Sequence, residues 1–146
     1  MVIMSKFAET LSALMLERNL NAPALAKIIG TDRTNITRYL RGERFPTFKG
    51  LLALLDYFNV SADVLLGRVD YCEKQNFLPV MPFSGTLRRV MAETKTTQYR
   101  VEKDLHISGA TMYNWLKDKS LPSVESLLKL AEYMDVSVDY LLGRVQ

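Results

Sequence analysis

Several residue types that mark particular protein classes are scarce in this 146-residue chain. It contains one cysteine, Cys72, so an internal disulfide is excluded and we expect a reduced, cytoplasmic protein. It contains one histidine, His106, with no Cys or His partner at the spacing of metal ligands, so no metal site is indicated. No glycine-rich loop suits a phosphate, and no nucleophile is accompanied by a base. The sequence therefore indicates no cofactor, no small-molecule ligand and no enzyme.

Long apolar runs are also missing. The longest purely apolar run is LLALL at 51–55, far below the roughly 20 residues that a membrane span needs. The first ten residues, MVIMSKFAET, lack the sustained apolar core and small-residue cleavage site of a secretory signal. The net charge is only +3, so the positions of charges inform more than their sum. We expect no membrane partner.

The chain contains an internal repeat. Segments that are similar at a constant offset of 76 residues are FAETLSALMLE (7–17) with FSGTLRRVMAE (83–93), and VSADVLLGRV (60–69) with VSVDYLLGRV (136–145). Over the aligned ranges 7–70 and 83–146, 20 of 64 pairs are identical. Such self-similarity indicates two copies of one structural unit. We predict an N-terminal domain at 1–69, a linker at 70–82 that packs against a domain through Phe77, Leu78, Val80 and Met81, and a C-terminal domain at 83–146.

Each copy is predicted to contain five short helices. In the first copy they cover about 5–18, 22–29, 33–40, 48–58 and a short stretch after Ser61 that Gly67 ends. The predicted N-caps are Asn21, Asp32, Thr47 and Ser61 in the first copy and Thr97, Ser108, Ser123 and Ser137 in the second. Gly30, and His106 in the second copy, are expected in left-handed turns. No segment alternates for long enough to be a strand, so the predicted class is all-α.

The third helix of the first copy has two opposite faces. At 100° per residue, the apolar stripe consists of Ile36, Tyr39 and Leu40, and the other side carries Arg33, Thr34, Thr37, Arg38 and Arg41, with Asn35 at the border. Residues 27–44 include five basic and two acidic side chains, a net charge of +3. An ordinary solvated helix face is one interpretation of these arginines. The alternative is a nucleic-acid surface, because arginine, asparagine and threonine bind phosphates and base edges.

The order of the elements favours the second interpretation. A helix, a short turn with glycine and a second amphipathic helix form a helix-turn-helix, which presents its second helix to the major groove. The runs LAKIIGTDRTNITRYLRGERFPT (25–47) and LLALLDYFNVSADVLLG (51–67) resemble the lambda-repressor/Cro-type helix-turn-helix family, often called the XRE family. The second copy, from YRVEKDLHISGATMYNWLKDKSLP to VSVDYLLG, resembles the same family. The resemblance implies two tandem five-helix lambda-repressor-like domains.

The resemblance also implies which residues meet double-stranded DNA. In the first copy Arg33, Thr34, Asn35, Thr37 and Arg38 would face bases and nearby phosphates, and Arg41 and Arg44 would hold the backbone. In the second copy the corresponding contacts would come from Gln98, Thr111, Tyr113, Asn114, Lys117 and Lys119. The function implied is that of a sequence-specific transcriptional regulator, most simply a repressor.

The second copy departs from the family pattern. Ala26 becomes Glu102, Gly30 becomes His106, and the net charge of 103–120 is only +1. We expect the Glu102 carboxylate at the solvent edge, near Arg100 or Lys103. Alternatives therefore remain open: only the first copy binds DNA while the second forms a homodimer through the apolar fifth helix, or the chain is a protein-interaction module of the antitoxin or antirepressor type.

Overall fold

The computed structural model describes residues 2–72 and 76–146, which form two compact units, Met1–Gln75 and Asn76–Gln146. The helices of the first unit are α1 (Val2–Glu17), α2 (Ala22–Ile29), α3 (Arg33–Leu40), α4 (Phe48–Phe58) and α5 (Ala62–Leu65). Those of the second are α6 (Phe83–Glu93), α7 (Gln98–Leu105), α8 (Gly109–Leu116), α9 (Val124–Met134) and α10 (Val138–Leu141). The described residues contain no strand, and the all-α class is confirmed.

Helix starts follow the capping residues expected from the sequence. The side chain of Asn21 accepts a hydrogen bond from the backbone N–H of Ala24, at 2.9 Å, and Asp32 accepts one from Asn35, at 2.8 Å. The caps of the other predicted helices are also confirmed, namely Thr47, Ser61, Thr97, Ser108, Ser123 and Ser137. These bonds satisfy N–H groups that have no partner within the helix, so the caps fix where each helix begins.

The first helix of each unit differs from the expectation. α1 begins three residues earlier than predicted and ends at Glu17, where Asn19 takes a left-handed conformation with φ 54°. α6 begins after Pro82, which provides no side-chain cap. Instead the carboxylate of Asp118, from the loop after α8, accepts hydrogen bonds from the N–H and the hydroxyl of Ser84. This cap is a tertiary contact, so the residues around Pro82 carried no sign of it.

The first unit holds its helices together around one aromatic group. The ring of Phe7 on α1 lies 6.0 Å from Tyr39 on α3 and 5.5 Å from Phe45, and all three are buried. Ile36 and Leu25, which have no exposed surface, pack in the same core. α1 contacts α3 and α5, while α2 contacts α3 and α4. Side chains on the inner face of α3 therefore hold it in the core of the first unit.

The fifth helix of each unit faces its own core. Leu65, Leu66, Leu141 and Leu142 are at most 1% exposed, which leaves only Val64 and Tyr140 half-buried. These four leucines fill the core of their own unit, so they are not available to a homodimer contact. The homodimer contact through the fifth helix, an alternative from the sequence, stays a prediction that would have to use Val64 and Tyr140. Each short helix is followed by an ion pair, Asp63 with Arg68 at 2.7 Å and Asp139 with Arg144 at 2.5 Å.

The segment predicted as a linker is partly attached to the second unit. The guanidinium of Arg144 lies 4.0 Å from the ring centre of Phe77, and the N–H of Leu78 donates to the Arg144 carbonyl at 2.8 Å. The side chains of Leu78, Val80 and Met81 are nevertheless exposed, so their expected packing is wrong. Domain limits at 1–69, 70–82 and 83–146 stay a prediction. None of the described helices is both long and apolar enough to cross a membrane.

Candidate nucleic-acid interface

α2 and α3 form a helix-turn-helix in the first unit. α2 ends at Gly30, which has φ 76° and ψ 37°, and whose N–H donates to the Ala26 carbonyl. Because this is a left-handed conformation, it favours glycine. Only Thr31 and Asp32 then separate the turn from α3. The short connection holds the two helices against each other, and they are in contact along their inner sides.

The inner side of α3 matches the apolar stripe predicted from the sequence. Ile36 has no exposed surface and Tyr39 is 4% exposed. Burial raises the pKa of the Tyr39 hydroxyl, the positive charge of Arg44 opposes that rise, and the charge of Asp32 adds to it.

The opposite side of α3 is accessible and cationic. Arg33, Thr34 and Arg38 are exposed, as are Arg41 and Arg44 in the following loop. Within the described ranges 2–72 and 76–146, no Asp or Glu forms a salt bridge with any of these four arginines. Guanidinium groups without an acidic partner, placed beside a helix, are suited to phosphate oxygens and to guanine edges.

Two of the predicted contact residues are engaged within the protein. Thr37 is half-buried and its hydroxyl donates to the Arg33 carbonyl at 2.9 Å. Asn35 is also half-buried; its Nδ2 donates to Thr31 Oγ1 at 2.9 Å, and its Oδ1 accepts from Arg44 at 3.2 Å. The methyl group of a threonine can still contact a base, but both halves of the Asn35 amide are already bonded.

α7 and α8 form the matching helix-turn-helix of the second unit. His106 occupies the turn with φ 55° and ψ 44°, as predicted, and its N–H donates to the Glu102 carbonyl. On the inner side of α8, Met112 has no exposed surface and Trp115 is 4% exposed. The core interpretation of Trp115 is therefore confirmed.

The outer side of α8 carries fewer charges than that of α3. Gln98, Tyr113, Lys117 and Lys119 are exposed, while Thr111 and Asn114 are half-buried. The ammonium of Lys119 lies 5.0 Å from the ring centre of Tyr113, which is a cation–π contact. The hydroxyl of Thr111 accepts a hydrogen bond from Ser108 at 2.9 Å. The predicted residues of the second unit thus include two lysines where the first unit has four arginines.

Glu102 lies close to the first residue of α8. It is half-buried, and among the residues that the structure describes no salt bridge joins it to Arg100 or Lys103. One carboxylate oxygen lies 3.3 Å from the point where a Cβ on Gly109 would stand. The expected place of the carboxylate at the solvent edge agrees with this partial burial, and its nearness to Arg100 or Lys103 stays a prediction. Gly109 leaves room for the carboxylate over the first residue of α8.

Two exposed residues beside these helices were not among the predicted contacts. Lys27, in the last turn of α2, is exposed, and so is Tyr99 in the first turn of α7, at 68%. Lys27 is the first residue of the basic segment 27–44, and this was the feature of the sequence that pointed to it. No sequence signal pointed to the bond between Asn35 and Arg44, because it depends on the path of the loop after α3.

Among the residues that the structure describes, no three His, Cys, Asp or Glu side chains are grouped as metal ligands would be. Residues 6–66 match the family model described as a helix-turn-helix domain, and residues 86–146 match the model described as a Cro/C1-type HTH DNA-binding domain. Comparison with curated proteins gives no match, and comparison with solved structures gives none. The chain therefore consists of two tandem helix-turn-helix domains of the XRE-like type, the family that the sequence resembles.

Proposed function

We propose that the protein is a sequence-specific regulator of transcription, most simply a repressor, that binds double-stranded DNA with α3 in the major groove. The observation that carries this proposal is the exposed outer side of α3 and its loop, where Arg33, Arg38, Arg41 and Arg44 have no acidic partner among the described residues. Arginines held so are available to phosphates and base edges. A protein seated there would obstruct a polymerase.

Contacts divide between two roles in this proposal. Arg33, Thr34 and Arg38 lie on the exposed part of α3 itself, so they face base edges and adjacent phosphates. Arg41 and Arg44 follow the helix and hold the sugar–phosphate backbone. This division follows from the positions of the residues in the chain. The helix itself enters the major groove, while the loop that follows it meets the sugar–phosphate backbone beside the groove.

The second unit contributes a weaker contact with the same duplex. Its outer side offers Gln98, Tyr113, Lys117 and Lys119, with Thr111 and Asn114 beside them. A covalent tether raises the local concentration of a second site into the mM range, so two weak contacts sum to a useful affinity.

A protein-interaction role for the second unit is the rival proposal. It is favoured by the exposed rings of Tyr99 and Tyr113, at 68% and 49%, and by the carboxylate of Glu102 on the side that would face phosphates. Tyrosines are enriched at protein interfaces. In that case the second unit would hold another protein while α3 holds DNA.

Binding selection from a pool of random duplexes, carried out with the full chain, tests both proposals. We expect enrichment of a defined sequence, weakened by Arg33→Ala with Arg38→Ala. We expect a smaller loss of affinity from Lys117→Ala with Lys119→Ala, and with it the loss of preference over one part of the selected site. If the lysine pair has no effect on affinity or sequence, the second unit does not touch DNA. If no sequence is enriched at all, the regulator proposal is wrong.

A further inference from the structure

The loop arginine Arg44 is joined to α3 by a chain of two hydrogen bonds. Its guanidinium donates to Asn35 Oδ1 at 3.2 Å, and Asn35 Nδ2 donates to Thr31 Oγ1 at 2.9 Å. Thr31 belongs to the turn between α2 and α3, so the chain crosses the helix-turn-helix from its turn to the loop behind α3. Thr31 lies in the short turn before α3 and Asn35 lies on α3 itself, so the backbone positions of both residues are set by the helix-turn-helix.

The anchoring of Arg44 comes from both sides of the residue. Gly42 turns the chain with φ 70°, and Phe45 and Pro46 are buried, so the backbone at residue 44 has a fixed place. The side chain is nevertheless exposed. Without Asn35, a long arginine side chain on such a loop would sample several rotamers, and ordering it on binding would cost conformational entropy.

Asn35 itself is not arranged to read a base. Asparagine reads adenine through both halves of its amide, as donor and as acceptor. In this chain one N–H of the amide donates to Thr31 and the oxygen accepts from Arg44, so the half-buried side chain is already oriented by the protein. Its position suits a residue that acts through another.

The second unit lacks every member of this chain. At the offset of 76 residues, Ile107, Thr111 and Ser120 stand where the first unit has Thr31, Asn35 and Arg44. The hydroxyl of Thr111 accepts a bond from Ser108 instead. The arrangement is thus a property of the first unit and not a requirement of the fold.

We propose that Asn35 is a positioning residue that holds the Arg44 guanidinium beside α3, in place to bind a DNA phosphate. This inference rests on the proposed function, because the phosphate belongs to the duplex that α3 binds. The sequence led us to expect that Asn35 recognises a base. In this proposal Asn35 instead orients the guanidinium of Arg44. The contact with DNA in this part of the surface is then made by Arg44 on a phosphate, and not by Asn35 on a base.

The salt dependence of binding distinguishes the two roles of Asn35. Each phosphate contact contributes about 0.9 to the slope of log affinity against log salt concentration. If Asn35 holds Arg44, the uncharged substitution Asn35→Ala flattens the slope by about the amount that Arg44→Ala does, ~0.9. A base-reading asparagine would lose affinity with the slope unchanged, and base preference would relax at one position of the site.

A double-mutant cycle on the selected duplex provides the second readout. We expect the loss of affinity in Asn35→Ala with Arg44→Ala to fall short of the product of the single losses by about fivefold, as for residues in contact. Thr31→Val, which removes only the anchor of Asn35, should lower affinity in the wild-type background and not in the Arg44→Ala background. If circular dichroism shows that Asn35→Ala lowers the melting temperature of the protein, Thr31→Val replaces it in the test.

The outcomes separate this inference from the proposed function. Additive losses of affinity, or an unchanged slope in both Asn35→Ala and Thr31→Val, overturn the positioning role while Arg33→Ala with Arg38→Ala still weakens binding. Loss of base preference at one position in Asn35→Ala overturns it as well. If the arginine pair on α3 has no effect on any duplex, the proposed function fails and this inference falls with it.

Discussion

The carboxylate of Glu102 lies over Gly109, 3.3 Å from the place where a Cβ on that residue would stand. In the first unit the same pair of positions is held by Ala26, which is 4% exposed, and by Arg33, which is exposed. In the first unit the large charged side chain of this pair is Arg33, on α3, and in the second unit it is Glu102, on α7. The two side chains carry opposite charges. The two units present opposite charges at the start of their outer helices.

This exchange predicts how the second unit responds to removal of one charge. Glu102→Gln keeps the shape of the side chain and removes a negative charge that would face phosphates, so we expect the full chain to bind its selected duplex a few times more tightly. Glu132→Gln, which removes an exposed carboxylate from α9, is the matched control and should have no effect. Equal affinities of wild type and Glu102→Gln at low salt would show that this side of the second unit does not approach DNA.

The two turns of the helix-turn-helix units predict opposite effects of substitution. His106 has φ 55°, and a left-handed conformation costs a residue with a Cβ roughly 1–2 kcal/mol, so His106→Gly should raise the free energy of unfolding of the second unit by about 1 kcal/mol. Gly30→Ala should lower that of the first unit by about 1 kcal/mol through the backbone alone, because nothing lies within 4 Å of the added Cβ.

Chemical denaturation measures both turn substitutions. Trp115 is the only tryptophan of the chain and is buried in the second unit, so its fluorescence reports the unfolding of that unit. Circular dichroism reports both units together. A midpoint of the tryptophan transition that falls in His106→Gly would mean that the imidazole makes a contact worth more than the strain of the turn.

The ion pairs that follow the two short fifth helices differ in burial. The side chains of Asp139 and Arg144 are each 5% exposed, whereas Arg68 is 24% exposed opposite Asp63. Removing one partner of a buried pair costs about 3–5 kcal/mol because the other charge is left buried. We therefore expect Arg144→Leu to destabilise its unit by about 3 kcal/mol. Asp63 is also buried, at 7% exposed, but water reaches the 24% exposed position of Arg68 and solvates the remaining carboxylate, so Arg68→Leu should cost its own unit less.

The comparison of the two arginine variants is made at equal ionic strength by chemical denaturation. Each variant is compared with the transition of its own unit. Trp115 fluorescence follows that transition for Arg144→Leu, and for Arg68→Leu it is the part of the circular dichroism change that the Trp115 transition does not account for. Equal costs in the two variants would mean that burial of the pair does not control its contribution.

Local chemistry explains which parts of the fold could be predicted from the sequence. The bounds of α2, α3 and α4 agree with the expected ranges because a capping side chain such as Asp32 bonds to the helix that it starts. The helical period of 100° per residue predicted which side of α3 is buried, and the burial of Ile36 and Tyr39 agrees with that prediction. These features depend only on residues within a few positions of one another.

Several features that the sequence did not predict involve the packing of one element against another. Asp118 caps α6 across 34 positions, and Arg44 reaches Asn35 across nine. The carboxylate of Glu102 lies over Gly109, where the missing Cβ leaves space for it. Such contacts depend on how two elements are brought together, which neither period nor capping encodes.

The salt dependence of duplex binding by the full chain, with and without the α3 arginines, tests the role of α3 most directly. We predict that Arg33→Ala with Arg38→Ala weakens binding and flattens the slope of log affinity against log salt by about 0.9 for each phosphate that the variant no longer binds. Arg89→Ala with Lys129→Ala removes two exposed cations from α6 and α9 and should leave the slope unchanged. Equal slopes and equal affinities in wild type and in the α3 variant would contradict the assignment of α3 as the DNA-binding helix.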